Sequence, residues 1–109
     1  MKRKISFLVF AILAACSQPA MAYDWMVEAN VIAIEPTYVP GSLNFSISLP
    51  AGTCVGTWLH WQARGASEAA QIANVQAVLS VVLTAKVAGS KVRVYGSNST
   101  CNVDFIHAL

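Results

Sequence analysis

Five strand-like segments and one long apolar helix predict a mainly β domain for most of this 109-residue chain. Three segments precede the helix and two follow it, which gives the order β-β-β-α-β-β. That order is typical of the OB-fold, a five-stranded barrel that usually binds a ligand. Cys54 and Cys101 begin the third and fifth segments. Because these two strands are parallel neighbours in such a barrel, a disulfide between their first residues agrees with the predicted order.

The first 22 residues have the composition of an export signal. Residues 2–4 are basic, eleven apolar residues follow from Ile5 to Ala15, and Ala20-Met21-Ala22 matches the small–x–small pattern of a signal-peptidase site. A bilayer-spanning helix needs about 20 apolar residues, so this stretch is too short to be an anchor. We therefore expect residues 1–22 to be removed and residues 23–109 to act as one domain outside the cytoplasm, in the periplasm or the medium.

A second interpretation of the leader stays open. Leu13-Ala14-Ala15-Cys16 also fits a bacterial lipobox, in which Cys16 would be acylated and the protein would be an envelope lipoprotein. Soluble export is favoured, because the site ending at Ala22 is followed at once by a strand-like segment with no polar tether.

Removal of the leader changes the charge of the protein. The whole chain has a formal net charge of +2, but three of its seven basic residues lie in residues 2–4, so the remaining domain has a net charge of −1. Nucleic-acid binding by an OB-type barrel needs a basic groove that neutralises phosphates. The sequence therefore argues against nucleic acid as a partner.

The two cysteines that remain after cleavage, Cys54 and Cys101, predict a disulfide, as expected for a small exported domain. A link across so long a segment is expected to stabilise the fold by about 4 kcal/mol on the chain-entropy model. His60 and His107 are present without CxxC or HxxxH spacing, so no metal site is expected.

Alternation of apolar and polar residues marks the strands. The clearest case is the second strand, where Leu43, Phe45, Ile47 and Leu49 alternate with serine and asparagine. The five predicted strands are Met26–Ile34, Ser42–Leu49, Cys54–Gln62, Lys91–Ser97 and Cys101–Leu109.

The helix is predicted from Ser67 to Val87, with Ser67 as N-cap and Gly89 ending the helix. Spacings of three and four define the face that is expected to cover the barrel, which consists of Ile72, Val75, Leu79, Val82 and Leu83. A second apolar set lies on another side of the helix and consists of Val78, Val81 and Ala85. A helix that is apolar on two sides of so small a domain predicts an oligomer interface at this second set, the alternative being a crowded core helix with some exposed valines.

Catalytic patterns are absent from the sequence. The chain has no GxSxG, no paired carboxylates and no glycine-rich phosphate loop, and its mature cysteines are expected to be paired. We therefore expect neither an enzyme nor a cofactor.

A local resemblance covers the helix end and the fourth strand, together with the strand order. Gln76-Ala77 and the segment Ala88-Gly89-Ser90-Lys91-Val92-Arg93-Val94-Tyr95 resemble the B subunits of pentameric bacterial toxins, of the subtilase-cytotoxin and typhoid-toxin type. That family has a comparable Gln-Ala in the helix, a glycine that ends it, and a Val-Arg-Ile strand with aromatic residues.

The resemblance implies a homo-oligomeric ring, with a pentamer as the family's form, that binds host-surface glycans and delivers an exported A-type partner. It also implies that Arg93 and Tyr95 contact the sugar. The two residues are one strand period apart and so share a face, where arginine offers a planar fork of donors and tyrosine a ring with a hydroxyl. The alternative function is a small periplasmic or envelope OB-type interaction module.

Overall fold

A computed structural model describes residues 23–54 and 58–109, so the predicted leader and Cys16 lie outside the described residues. The described chain is mainly β with one long helix, which confirms the predicted class. Its elements, in chain order, are β1 (Trp25–Glu35), β2 (Ser42–Ile47), β3 (Leu59–Gln62), α1 (Glu68–Ala88), β4 (Lys91–Gly96) and β5 (Val103–Ala108). The third strand is shorter than predicted, and residues 55–57 of the predicted Cys54–Gln62 segment are outside the described part.

The strands form one antiparallel sheet in the order β3-β2-β1-β4-β5. The central strand, β1, is eleven residues long and divides its length between two neighbours. Its first half pairs with β4 up to Asn30, and its second half pairs with β2 from Val31 onward, with a register shift just after Val31. Such an irregularity bends a strand and increases its twist. The sheet is not a closed barrel, so the predicted OB barrel is not confirmed.

The two edge strands nevertheless approach each other. The backbone N–H of His60 in β3 donates to the carbonyl of Cys101 (3.0 Å), and His60 forms an isolated parallel bridge with Asn102, just before β5. The predicted disulfide joins Cys54 to Cys101, whose Cα atoms are 5.9 Å apart. Covalent and hydrogen bonds therefore connect the two edges of the sheet at one end.

Arg64, two residues after β3, makes a further connection between these edges. Its guanidinium donates to the carbonyl of Val103 (2.7 Å) and to that of Asp104 in β5. The same group lies 4.2 Å over the ring of Trp61, a cation–π distance. The side-chain oxygen of Asn74 on α1 accepts hydrogen bonds from the Trp61 indole N–H (2.8 Å) and from the backbone N–H of Arg64 (3.2 Å), so the helix fixes the end of β3.

One core lies between the sheet and α1, and α1 packs mainly on β1. On β2 the predicted alternation is observed, because Leu43 and Phe45 are fully buried, while Leu49 lies past the end of the strand and is half-exposed. Trp25 fills one end of the core. Gly96 faces its ring so closely that a Cβ at this position would overlap it, which explains the glycine.

Local sequence sets both ends of α1. The Ser67 hydroxyl accepts from the backbone N–H of Ala70 (3.2 Å), as an N-cap does. Gly89 ends the helix with a φ of 68°, a left-handed conformation that glycine adopts without steric cost. The predicted bounds, Ser67 to Val87, are therefore nearly the observed ones.

The predicted buried face of the helix was only partly right, because Val75 and Val82 are fully buried while its other three residues are not. The buried residues are Val75, Val78, Val82 and Ala85. With 100° per residue around the helix axis, the centre of this face lies roughly 70° from the centre of the predicted face. Of the predicted face, Leu83 is 50% exposed, while Ile72 and Leu79 are only partly buried. Two of the three predicted interface residues, Val78 and Ala85, are 6% and 5% exposed because their own sheet covers them.

By length and apolar composition alone, α1 could cross a membrane. Of its apolar 18-residue window, 22% is buried in the molecule. A core helix of a soluble protein has the same composition, so this is weak evidence for a membrane span.

Candidate functional site

The outward side of β1, β4 and β5 carries two rows of large side chains. In the first row Met26, Tyr95 and Phe105 are opposite one another on the three strands. In the second, one strand period away, Glu28, Arg93 and His107 are opposite one another. Opposite residues of antiparallel strands have neighbouring side chains. We call these six residues and Tyr23 the β1–β4–β5 face.

Arg93 and Glu28 form an ion pair on this face. The Nε and Nη2 atoms of Arg93 both donate to Oε1 of Glu28, at 2.8 and 2.6 Å. Glu28 Oε2 accepts no hydrogen bond from the described residues. The two side chains are 34% and 42% exposed, so water and ligands can reach them. The hydrogen bond and the charge of Glu28, followed by the Tyr95 side chain, raise the pKa of Arg93. An arginine side chain is cationic in proteins even without such a shift.

Tyr95 is at the centre of an aromatic cluster. Its ring makes edge contacts with Tyr23 (4.8 Å between centroids), His107 (5.3 Å) and Phe105 (6.0 Å). Phe105 is half-exposed although it is fully apolar, as is Met26 in the same row. Edge-to-face packing fixes ring positions and leaves ring faces and edges available to another molecule.

This face combines apolar, charged and hydrogen-bonding groups. Apolar rings lie beside a charged pair that supplies both donors and an acceptor, on three hydrogen-bonded strands that hold them in place. Small-molecule sites commonly combine an apolar platform with a few fixed polar groups. His107 adds a ring nitrogen beside Arg93, its cross-strand neighbour.

Arg93 and Tyr95, the two predicted site residues, therefore lie on one face, as their spacing indicates. Sequence reasoning missed Glu28, Phe105 and His107, which the register of the sheet places beside them. Alternation along β1 and β5 could have assigned each of them to an outer face, but not to the same row. The serine and asparagine face of β2 is not beside this site, since Asn44 and its neighbours pair with the far half of β1.

A concavity of about 450 Å³ lies between the ends of β1 and β2 and the loop before β3. Ser46 and Ser48 supply hydroxyls to its wall, and three exposed apolar side chains, Ile32, Leu49 and Trp58, surround it. This pocket is on a different part of the sheet from Arg93 and Tyr95.

Val81, the third predicted interface residue, is only partly buried. It lines a shallow groove of about 290 Å³ between α1 and the last residues of the chain, with Thr84 and Leu109 on its walls. Farther round the helix, Leu83 and Val87 are exposed apolar residues, and Val87 is 81% exposed.

Both histidines lie in strands. His60 is partly buried and its Nδ1 lies 2.6 Å from the side-chain oxygen of Asn44, whereas His107 is exposed. Across residues 23–54 and 58–109, no three His, Cys, Asp or Glu side chains come together in a way that could hold a metal ion.

Comparison with known proteins adds no relative. No family model, curated protein or solved structure matches this chain.

Proposed function

We propose that this protein is an exported carbohydrate-binding subunit, resembling a toxin B subunit, that recognises host-surface glycans through the β1–β4–β5 face. The observation that carries the proposal is the placement of the Glu28–Arg93 ion pair beside the aromatic cluster of Tyr95. The disulfide supports an oxidising compartment, as export requires.

The aromatic cluster provides the apolar half of a sugar site. One face of a pyranose ring exposes C–H groups, which pack against aromatic rings and other apolar side chains. Phe105, Met26 and Tyr95 form one such continuous row across three strands. Because the row is held by backbone pairing and by ring-to-ring contacts, little conformational entropy is lost when a sugar binds.

The ion pair provides the polar half. Sugar hydroxyls bind well to paired donors and acceptors on planar side chains, and the guanidinium and carboxylate supply both. Since Arg93 donates twice to a single oxygen of Glu28, the other carboxylate oxygen can accept from a hydroxyl. The pair also holds the guanidinium in position before any ligand arrives.

A site this open is expected to bind weakly, so the proposal includes a homo-oligomer, a ring of five by resemblance, in which several sites act together. Because Val78 and Ala85 are buried in the chain's own core, the contact surface would involve the exposed helix residues Leu83 and Val87 and the groove at Val81. An exported A-type subunit would be the delivered partner.

The proposed fold is an open form of the OB barrel. The element order, the pairing of β1 with both β2 and β4, and the parallel bridge from β3 to the start of β5 support it.

The decisive experiment is a glycan array with purified mature protein and its Arg93→Ala variant. Wild type should bind a defined subset of glycans, and Arg93→Ala should lose at least about tenfold in signal, since charge-assisted hydrogen bonds contribute about 1.5–3 kcal/mol. Lys86→Ala is the matched control, because it removes the same charge from the last turn of α1 and should bind as wild type.

The outcomes separate the two candidate functions. If Arg93→Ala binds as wild type does, the β1–β4–β5 face is not the glycan site. If wild type binds no glycan, the protein is better described as a small envelope interaction module, for which the pocket beside Trp58 is the supporting feature.

A further inference from the structure

The pocket beside Trp58 has walls that the fold holds in place. On one side, the Ser48 N–H donates to the carbonyl of Asn30 (2.9 Å), and the Asn30 N–H donates to the Ser48 hydroxyl (3.0 Å). On the other side, Cys54 is fixed by its disulfide and by its N–H, which donates to the carbonyl of Ala51 (2.8 Å). Ser48, Ala51 and Cys54 all line the pocket. The cavity is therefore formed before any ligand binds.

The described residues that line this pocket include no charged side chain. Most of the lining is apolar, and Ile32, Leu49 and Trp58 expose large apolar side chains around it. An ion that entered would lose water without gaining a partner of opposite charge, which is costly. Exposed apolar side chains that cluster around a concavity are instead typical of a binding site for an apolar ligand. The lining therefore favours an uncharged and mostly apolar molecule.

Two hydroxyls supply polar contacts in this apolar surrounding. The Ser48 oxygen already accepts from the Asn30 N–H, and the hydroxyl still has its own proton to donate. Ser46, which also lines the pocket, adds a second hydroxyl from β2. A ligand with a carbonyl or another acceptor oxygen would meet these donors, and such a contact fixes the orientation of an otherwise apolar molecule.

The volume of the pocket limits the size of its ligand. A closed apolar cavity of about 150 Å³ holds benzene, whereas this pocket measures about 450 Å³. Roughly two fused rings with a short substituent fit such a space when part of it stays open to water.

We propose that the pocket beside Trp58 binds an uncharged aromatic molecule of this size, whose rings pack on Trp58 and whose acceptor oxygen binds the Ser48 hydroxyl. The pocket differs from the β1–β4–β5 face in position and in chemistry. The proposal therefore does not depend on glycan recognition and is compatible with either candidate function.

The test uses three small probes that differ in one group. The first is 2-acetylnaphthalene, which has two fused rings and one carbonyl. In 2-ethylnaphthalene the acceptor is absent, and in 2-naphthoate a negative charge takes its place. Calorimetry measures the affinity of purified mature protein for each probe. Proton–nitrogen NMR follows the indole N–H signals of the three tryptophans, of which Trp25 and Trp61 are buried in the core.

We expect one molecule of 2-acetylnaphthalene to bind per chain and to shift the indole signal of Trp58 but not those of Trp25 and Trp61. The hydrocarbon should bind about three- to tenfold more weakly, the size of one neutral hydrogen bond. The carboxylate should bind at least about tenfold more weakly than the ketone, because its charge finds no partner.

Variants assign the two contacts. Trp58→Ala should weaken ketone binding at least about tenfold, since a large aromatic surface is lost. Phe105→Ala is the matched control, because it removes a half-exposed ring from the other side of the sheet. Ser48→Ala should lower the affinity for the ketone to that for the hydrocarbon, whereas Ser42→Ala, on the same strand outside the pocket, should change neither affinity.

The proposal is overturned if 2-acetylnaphthalene does not bind, if it leaves the Trp58 signal unchanged, or if Trp58→Ala and Phe105→Ala weaken it equally. It is also overturned if wild type binds the ketone no better than the hydrocarbon or the carboxylate, a comparison that needs no variant to fold. None of these results affects glycan binding by the β1–β4–β5 face, and a negative glycan array does not affect this pocket.

Discussion

Arg64 and Arg93 show how differently the same side chain serves two parts of this protein. Arg93 donates to a carboxylate on an exposed sheet face, where water competes for both partners. Arg64 donates to two backbone carbonyls of the opposite sheet edge and lies over the Trp61 ring. The structure therefore assigns Arg64 to stability and leaves Arg93 available to a ligand.

Replacing Arg64 by alanine should lower the free energy of unfolding by about 1 kcal/mol, because two hydrogen bonds to carbonyls and a cation–π contact are lost, although the side chain is exposed. Arg93→Ala is the matched control and should unfold at nearly the same urea concentration as wild type, because exposed ion pairs contribute little to stability. Urea unfolding of both variants measures the difference. Equal losses would contradict the stabilising role given to Arg64.

Single elements were predictable where local chemistry decides them. The bounds of α1 follow from the Ser67 cap and Gly89, and the shared face of Arg93 and Tyr95 follows from strand alternation. The buried face of α1 followed only in part: Val75 and Val82 were predicted, but Val78 and Ala85 were not. Apolar residues lie on most sides of this helix, and only the sheet determines which of them are buried. The pairing of Glu28 with Arg93 was not predicted either, because the register between two strands so far apart in the chain leaves no local pattern in the sequence.

The corrected helix face changes what a lysine scan should show. Val78→Lys places a charge in the core and should destabilise the fold by more than about 3 kcal/mol. Val87→Lys, on the same helix but 81% exposed, should stay within about 0.5 kcal/mol of wild type. Thermal unfolding followed by circular dichroism distinguishes them. A folded, stable Val78→Lys protein would show that the observed face is wrong.

The same scan tests the proposed assembly. If Val87 lies in a subunit contact, Val87→Lys should shift the protein from oligomer to monomer in sedimentation experiments while leaving it folded. A wild-type protein that sediments as a monomer at micromolar concentration would instead remove the ring from the proposal.

On the scale of the whole molecule, the link between Cys54 and Cys101 joins segments 47 residues apart in the chain. The connection constrains the unfolded chain and holds the start of β5 near β3. Its position was predictable from strand order together with the count of cysteines, although the barrel geometry behind that reasoning is not confirmed.

Exported protein should therefore contain no thiol that titrates after denaturation, and two per chain after reduction. Reduction should lower the free energy of unfolding by about 2–4 kcal/mol, the usual range for such a bond. Thiol titration and urea unfolding with and without reductant measure both quantities. Two reactive thiols in unreduced mature protein would contradict the disulfide and weaken the whole topology.

The connection between the two sheet edges also affects the compartment in which this chain can fold without aggregating. An edge strand with unpaired N–H and C=O groups is a template for pairing with another chain, and proteins protect such edges to avoid aggregation. Here the protection of β3 and β5 includes a covalent bond that forms only in an oxidising compartment. A chain that folds in the reducing cytoplasm lacks that bond, leaving its strand edges less protected, and should accumulate as intermolecular β-aggregate.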